Sequence, residues 1–179
     1  MVILNKQETL DRKEEIITAI KLGRIFIYPT DTIYGMGCDA TNENAVQKLR
    51  EIKNREAKPF SVIAPNKDWI MKNYILPNEG SLDILPGPYT LIFKKSEFGE
   101  VAPNVFFVAL PGVRIPDNWF TGLISEAGQP FVTTSVNITG QKNMETLEDA
   151  PKELLDQVDY VIYDGPIHGK QSTRIDLTV

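Results

Sequence analysis

Lysine and arginine are concentrated in one short segment that could bind an anion. The segment KNREAKPF, residues 53–60, places Lys53, Arg55 and Lys58 within six positions. Arginine offers phosphate oxygens a planar fork of donors, whereas lysine offers a point charge. The alternative interpretation is a solvated helix end, because the helix dipole favours cations there. The segment runs directly into an apolar stretch, which favours a phosphate clamp fixed at the end of a buried strand.

Arg114, in the segment GVRIPD, is a second candidate for binding an anion. Its neighbours Val113 and Ile115 are apolar, so alternation along a strand would direct Arg114 away from the face that they bury. On that side the guanidinium is either solvated or directed into a cleft, where it could bind a carboxylate through two donors. Pro116 lacks a backbone donor, which argues against continuation as a central strand.

Three further segments combine hydroxyl or amide side chains with glycine. They are YPTDTIYGMG, TTSVNITG and QSTRIDLT, and each follows or includes a predicted strand. Loops at strand ends are favoured ligand sites, and glycine lets the backbone approach a ligand closely. In each segment the alternative is a turn or strand end that satisfies its own backbone. The polar side chains concerned are Thr30, Asp31, Thr32, Thr133, Ser135, Asn137, Ser172 and Thr173.

The composition restricts the classes of function. The 179 residues carry a net charge of -5, whereas a general nucleic-acid-binding protein is usually basic. One cysteine, Cys38, and one histidine, His168, cannot form an internal disulfide or an ordinary Cys/His zinc site. We expect Cys38 to be buried and His168 to lie at the surface. Because no apolar run approaches roughly 20 residues and no secretory signal pattern is found, we expect a cytoplasmic protein with no membrane partner.

The elements that must position these side chains alternate between helices and strands, which predicts a single α/β domain over residues 1–179 with some antiparallel pairing. Apolar periodicity and capping residues predict helices over residues 10–22, from Thr41 or Asn42 to 52, over 119–127 and over 146–155. Short apolar runs predict strands over residues 25–28, 60–64, 89–93, 105–108, 131–134, 160–163 and 174–177. Residues 29–40 are predicted to be a loop. Neither a GxxxxGK[ST] loop nor a GxGxxG fingerprint is present, so a nucleotide site would be of another kind.

Taken in order, six segments resemble the YrdC-like family of threonylcarbamoyl-AMP synthases. They are YPTDTIYGMG, KNR, PGPYT, RIPD, SVNITG and STRID, and the resemblance extends from about Glu14 to Leu177. It implies a single-domain, twisted, open mixed sheet flanked by helices, with a concave cleft. It also implies a nucleotidyltransferase that converts L-threonine, bicarbonate and ATP to threonylcarbamoyl-adenylate and pyrophosphate, for the modification of tRNA to threonylcarbamoyladenosine.

The same resemblance implies roles for individual residues. Lys53 and Arg55 would form the catalytic pair, and Arg114 would bind the threonine carboxylate. Mg²⁺ would be held through the phosphates rather than by a protein metal site. The expected partners beyond the substrates are tRNA or double-stranded RNA and a downstream threonylcarbamoyl-transferase complex. ATP would contact Arg55, Lys58, Ser135, Asn137 and Asn143, and threonine would contact Thr32, Arg114, Thr133 and Ser172.

The sequence departs from the family pattern at four places, of which SVNITG in place of SANxSG is a mild change. Glu56 stands where members commonly have proline, and Ile63 stands where some have histidine. Members usually continue into a further strand with an ATP-holding arginine, whereas this sequence ends at Val179, so we expect a short member of the family. Two other functions remain open at this point. One is an RNA-binding module without catalysis, and the other is a carbamoyl-adenylate-forming relative.

Overall fold

The computed structural model describes residues 1–55, 58–96, 101–105, 110–138 and 142–178, and over these residues helices and strands alternate as predicted. The strands are β1 (Val2–Leu4), β2 (Phe26–Tyr28), β3 (Gly35–Gly37), β4 (Ser61–Ile63), β5 (Tyr74–Ile75), β6 (Tyr89–Ile92), β7 (Lys94–Lys95), β8 (Gly112–Arg114), β9 (Phe131–Ser135), β10 (Tyr160–Ile162) and β11 (Thr173–Asp176). The helices are α1 (Lys6–Asp11), α2 (Lys13–Lys21), α3 (Glu43–Lys53), α4 (Lys67–Asn73), α5 (Trp119–Ala127) and α6 (Lys152–Leu155). Short 3-10 turns cover Glu79–Leu82, Pro103–Val105 and Leu147–Asp149.

Most of the described strands join one mixed sheet, which confirms the predicted class. Its order is β1-β10-β2-β3-β9-β4-β8-β6-β11, while β5 and β7 pair separately. The pairs β1/β10, β10/β2, β4/β8 and β6/β11 are parallel. The strands β3 and β9, in the middle of the sheet, run antiparallel to their neighbours. Antiparallel pairing was therefore expected correctly.

Helices cover the sheet through two separate apolar clusters. Phe26 and Tyr28 of β2 pack with α2 and α5, whereas Ile27, between them, packs with α3. Successive side chains of a strand point to opposite faces, so the two clusters lie on opposite faces of the sheet. The face that packs on α2 and α5 holds a group of aromatic rings, with Tyr28 stacked on Phe120 at a centroid distance of 4.9 Å.

The predicted helix over residues 10–22 is two helices. Asn5 caps α1 by accepting from the Glu8 amide at 2.9 Å, and the chain leaves helical geometry at Arg12 before α2 begins. The apolar stripe of α2 is buried as expected. The predicted helix over residues 146–155 is also divided. Thr146 and Asp149 form the expected capping box on a 3-10 turn, and α6 then begins after Pro151, which cannot donate a helical hydrogen bond.

The predicted loop over residues 29–40 is wrong in part, because it contains β3, which lies between β2 and β9. β8 lies between β4 and β6 and ends at Arg114, so the strand does not continue through Pro116, as the sequence indicated. Of the predicted strand over residues 105–108, Val105 ends a 3-10 turn and the rest lies outside the described residues. Among the residues that the structure describes, no helix combines the length and hydropathy needed to span a bilayer.

Candidate functional site

A cavity of about 230 Å³ collects most of the candidate residues. Its walls come from the loop between β2 and β3, the segment after α3, and strands β4, β6, β8, β9 and β11. Ser61 and Thr133 are register partners on β4 and β9, and Thr90 and Arg174 are register partners on β6 and β11, so each pair shares a face. The wall carries charged and hydroxyl side chains, which include Thr32, Arg55, Arg114, Thr133, Ser135, Ser172 and Arg174.

Arg114 lies at the deep end of this cavity, with only 5% of its surface exposed. Its Nη2 donates to Asp31 and its Nη1 donates to the Thr32 hydroxyl at 3.1 Å. Burial lowers the pKa of Arg114, and the carboxylate of Asp31 opposes this shift. The Nε donor of Arg114 is buried and has no partner among the described residues. Of the two alternatives that the sequence left open, Arg114 thus lies in a cleft rather than on a solvated face, and its Nε is a buried donor that no described residue satisfies.

Asp31 also holds the loop that follows β8. Its second oxygen accepts from the Asp117 amide at 2.9 Å, so one carboxylate connects the loop after β2 with the RIPD segment. The Thr30 hydroxyl donates to the Ile33 carbonyl at 2.7 Å and accepts from the Thr32 amide at 3.1 Å. The turn that the sequence suggested as an alternative is therefore present. It places Thr32 against Arg114 and leaves both residues on the cavity wall.

A second group of hydroxyls lines the same cavity as that loop. Thr90 and Ser172 are hydrogen-bonded to each other at 2.6 Å, which joins β6 to the start of β11. Thr133 is buried on β9 and lines the same cavity. The threonine-binding set that the resemblance implied, Thr32, Arg114, Thr133 and Ser172, is thus brought together on one wall.

Arg55 forms another part of the wall, just beyond the end of α3. Its Nη2 donates to the Pro59 carbonyl at 2.6 Å, and its guanidinium lies 5.0 Å from the centroid of the Phe60 ring. Burial and the nearby charge of Arg174 both lower the pKa of Arg55. Lys58 is different, because its side chain is exposed and does not line the cavity. The cluster of three cations is therefore divided between separate environments.

Lys53 lies beneath the wall rather than on it. Its ammonium group donates to the Ser135 carbonyl at 2.6 Å, to the Asn137 carbonyl, and to the Asn137 side-chain oxygen at 2.9 Å. Burial, with a smaller contribution from Arg55, lowers the pKa of Lys53 to about 8. The same network extends through Asn137 Nδ2, which donates to Asn143 Oδ1 at 3.2 Å. Of the residues in this network, Ser135 lines the cavity, while Lys53, Asn137 and Asn143 support it from behind.

Sequence reasoning missed two arginines that belong to the site. Arg174 of β11 lines the cavity, although STRID had been singled out only for its hydroxyls. Arg50 is buried at 4% exposure and donates to carbonyls of the segment that carries Arg55, as well as to the Asn104 and Val105 carbonyls. The available signal for Arg50 was its spacing, because it follows Val46 by four residues and therefore lies on the buried side of α3. Arg174 could have been found from strand alternation, since Ile175 beside it is apolar.

The isolated cysteine and histidine lie away from this cavity. Cys38 is fully buried as predicted, and burial raises the pKa of its thiol. His168 is exposed as predicted, but the structure adds a partner, because its Nδ1 lies 2.7 Å from a carboxylate oxygen of Glu145. Within the described ranges, no three His, Cys, Asp or Glu side chains are grouped as a metal site would require.

Residues 18–179 match the model of the Sua5/YciO/YrdC family, described as telomere recombination. The chain belongs to this family. Several members are named threonylcarbamoyl-AMP synthase. One from Pseudoalteromonas translucida is 28% identical over 86% of this chain and 85% of its own length, and one from mouse is 32% identical over 91% of this chain and 61% of its own length. A Methanocaldococcus jannaschii member provisionally given the same name is 38% identical over 97% of this chain and 84% of its own length.

Solved structures of family members share the fold. Pyrococcus abyssi Sua5 complexed with L-threonine has a TM-score of 0.86 and 26% identity, and the match covers 98% of this chain and 54% of that one. Escherichia coli YciO, at 23% identity, has a TM-score of 0.82 over 99% of this chain and 90% of its own. The predicted recognition and the predicted open mixed sheet are both confirmed. This chain spans little more than half of the Sua5 chain that it matches.

Proposed function

We propose that this chain is a threonylcarbamoyl-AMP synthase, which forms threonylcarbamoyl-adenylate and pyrophosphate from L-threonine, bicarbonate and ATP. One observation carries the proposal. A single cavity has a buried arginine with a free donor at one end, Arg114, and a second arginine, Arg55, elsewhere on the wall. An amino-acid carboxylate and a polyphosphate both need such donors. The activity is that of the named family members, and a Sua5 structure with L-threonine supports the choice of amino acid.

Arg114 would bind the threonine carboxylate through Nε and the edge of its fork. Asp31 already occupies Nη2, so the bound carboxylate would share the guanidinium with Asp31. The hydroxyls of Thr32, Thr133 and Ser172 lie on the same wall and could hold the threonine amine and hydroxyl. Burial favours a specific ligand here, because a carboxylate that pairs with Arg114 Nε would relieve the cost of a buried unsatisfied donor, about 1–3 kcal/mol, and a molecule without an acceptor there would not.

The chemical step needs two anions held in line. The threonine amine forms a bond to the carbon of bicarbonate, which loses one oxygen as water to give a carbamate, and a carbamate oxygen attacks the α-phosphorus of ATP. A carbon–oxygen–phosphorus link forms as the bond from the α-phosphorus to the pyrophosphate oxygen breaks. Arg55 would stabilise the charge that develops on the phosphate oxygens, with Ser135 as a neighbouring donor. Lys53, Asn137 and Asn143 would act by fixing the end of β9 that carries Ser135.

Mg²⁺ would reach this site with the nucleotide. The described residues on the cavity wall include no carboxylate, so the ion would be held through the phosphates, whose charge it would help to neutralise. Lys58 is exposed and would contact ATP only from outside the described wall. We place the enzyme in the cytoplasm. Its product, an activated mixed anhydride of a carbamic acid and AMP, would be consumed by a transferase that acts on tRNA.

The test is release of pyrophosphate from ATP with each amino acid in turn, with and without bicarbonate. We expect release only with L-threonine and bicarbonate together. Replacement of Arg55 by alanine should lower the rate by about 10-fold or more, the equivalent of a lost charge-assisted hydrogen bond of about 1.5–3 kcal/mol. Lys48→Ala, an exposed cation on the outer surface of α3, is the matched control and should leave the rate unchanged.

Two results would reject the assignment. Release that needs no amino acid would remove the threonine subsite. A rate unaffected by Arg55→Ala would remove the phosphate contact. RNA binding with a steep salt dependence but without turnover would favour the RNA-binding module instead.

A further inference from the structure

Arg174 is an exposed cation on the cavity wall, and the proposed function gives it no role. It lies on β11, opposite Thr90 of β6 in the parallel register, and both side chains line the cavity. Among the described residues, the guanidinium of Arg174 makes no hydrogen bond and no ion pair. An arginine that faces a cavity without a protein partner has all five of its donors available to a ligand.

The charges around Arg174 point to an anion as that ligand. Three arginines line the cavity, Arg55, Arg114 and Arg174, and no described residue of the wall is a carboxylate. Asp31, which reaches Arg114 from behind the wall, balances one of the three positive charges. Within the part of the chain that the structure describes, the other two have no carboxylate partner, although the net charge of the whole chain is -5. The two are close enough that Arg174 contributes to the lowered pKa of Arg55. Like charges at this proximity repel each other, and an anion placed between them would remove that cost.

Depth separates the roles of the three arginines. Arg114 is nearly inaccessible, Arg55 is half-buried, and Arg174 is exposed at the mouth. The part of a nucleotide that leaves as pyrophosphate must face the opening, because it departs first while the adenylate stays in place. The β- and γ-phosphates carry most of the charge of ATP, and they are the groups that the guanidinium fork of Arg174, with the charge of Arg55 behind it, would fit.

We propose that Arg174 and Arg55 together clamp the β- and γ-phosphates of ATP, which makes Arg174 a binding residue for the pyrophosphate leaving group. This inference rests on the proposed function for the identity of the nucleotide, but not for the existence of the anion site. The site would take a diphosphate or triphosphate group and would discriminate against a nucleoside monophosphate.

The experiment measures binding of pyrophosphate, ATP and AMP to the purified full chain by calorimetry, with magnesium and without threonine. We expect Arg174→Ala to weaken binding of pyrophosphate and ATP by about 10-fold, as for one lost charge-assisted contact at a partly exposed position. Binding of AMP should change by less than about 2-fold. Arg174→Lys should bind with intermediate affinity, since it retains the charge and loses the fork.

The matched control is Lys170→Ala. It removes one exposed positive charge four residues away, from a side chain that does not line the cavity. It should leave all three affinities unchanged, and thermal unfolding of each variant checks that the fold is retained. If Arg174→Ala binds pyrophosphate as the wild type does, or if Lys170→Ala weakens it equally, the clamp is refuted and Arg174 is a solvated surface residue.

The outcomes for this inference and for the proposed function can be separated. Loss of pyrophosphate binding in Arg174→Ala, in a chain that shows no threonine-dependent turnover, would support the clamp and reject the synthase. Threonine-dependent turnover with pyrophosphate binding that is independent of Arg174 would support the synthase and reject the clamp.

Discussion

Replacing Arg50 with leucine should damage both the stability of the chain and its use of ATP. Among the described residues the guanidinium donates to four carbonyls: Asn104 at 2.6 Å, Val105 at 3.2 Å, Arg55 at 3.2 Å and Lys58 at 3.1 Å. It thereby joins the segment that carries Arg55 to the 3-10 turn Pro103–Val105. Leucine preserves the apolar stem of the side chain on α3 but removes every one of these donors.

The magnitude depends on which carbonyls lose their last partner. The Val105 carbonyl also accepts from the Phe60 amide at 2.9 Å, and Arg55 and Lys58 are exposed enough for water to replace the arginine. Asn104 is buried, so its carbonyl would be left unsatisfied at a cost of about 1–3 kcal/mol. Loss of the charged donors adds to this cost, while relief of the burial that lowers the pKa of Arg50 offsets part of it. We therefore expect a loss of about 2–3 kcal/mol in the free energy of unfolding.

Two measurements test this account. Urea unfolding should give the loss in stability for Arg50→Leu and no more than about 0.5 kcal/mol for Lys48→Leu, the same substitution at an exposed position of α3. Steady-state kinetics well below the unfolding temperature should show a raised KM for ATP and a smaller effect on KM for threonine, because Arg50 supports the segment of Arg55 and not Arg114. Equal stability in the two variants, or unchanged ATP kinetics in Arg50→Leu, would refute the positioning role.

Two further predictions concern the buried thiol and a close backbone contact. The pKa of Cys38 is raised by burial, so the unfolded chain loses its thiol proton from about pH 8.5 while the folded chain keeps it, and stability should fall with rising pH by up to about 1.4 kcal/mol per unit. Lys53, whose pKa is lowered to about 8, makes the stability of the wild type rise with pH and so opposes this effect. The test therefore compares urea unfolding of wild type and Cys38→Ala between pH 7.5 and 10. Parallel plots of unfolding free energy against pH for the two proteins would contradict the prediction. A Cβ at Gly169 would lie 1.6 Å from the Thr32 carbonyl, so Gly169→Ala should displace Thr32 and raise KM for threonine several-fold. Gly122→Ala, whose Cβ would contact nothing within 4 Å, is the control and should leave KM unchanged; equal KM values in the two variants would show that the contact is relieved without moving Thr32.

The parts of the fold that the sequence predicted correctly have local causes. Residues 119–127 form a helix with the predicted bounds, since Asn118 caps one end and Gly128, at φ 74°, ends the other. The strand β3 could not be found in this way. Its sequence is Gly-Met-Gly, which has low strand propensity, and it is a strand because β2 and β9 satisfy its backbone on both sides. Gly37 is needed there, because a Cβ would lie 1.7 Å from the Val132 carbonyl.

The candidate site was predictable where one segment supplies both a side chain and its direction. Arg114 is such a case, because its two apolar neighbours determine the face on which it lies. Lys53 and Arg50 are different, because both have hydrogen-bond partners that are distant in sequence. The partners of Lys53 are 82 to 84 residues away, and the distant partners of Arg50 are 54 to 55 residues away. No pattern within a helix encodes such partners. The sequence could therefore identify the cations of this region but could not divide them into those that line the cavity and those that support it.

The cations that line the cavity and those that support it are separated by the end of α3. The two buried cations of its last turn, Arg50 and Lys53, donate to carbonyls of other segments, so each fixes a different part of the wall: one the segment of Arg55, the other the end of β9. Arg55 comes after Asn54, whose left-handed conformation ends the helix and redirects the chain toward the cavity. The helix-end interpretation of KNREAKPF thus applies to Lys53, but as a buried cation rather than a solvated one, and the phosphate-clamp interpretation stays a prediction for Arg55. Because Arg50 and Lys53 at the end of α3 donate to carbonyls of other segments, the backbone that carries Arg55 is held in place. Electrostatic stabilisation of a transition state requires a donor that is already in position, because a donor that must reorganise during the reaction loses much of its effect.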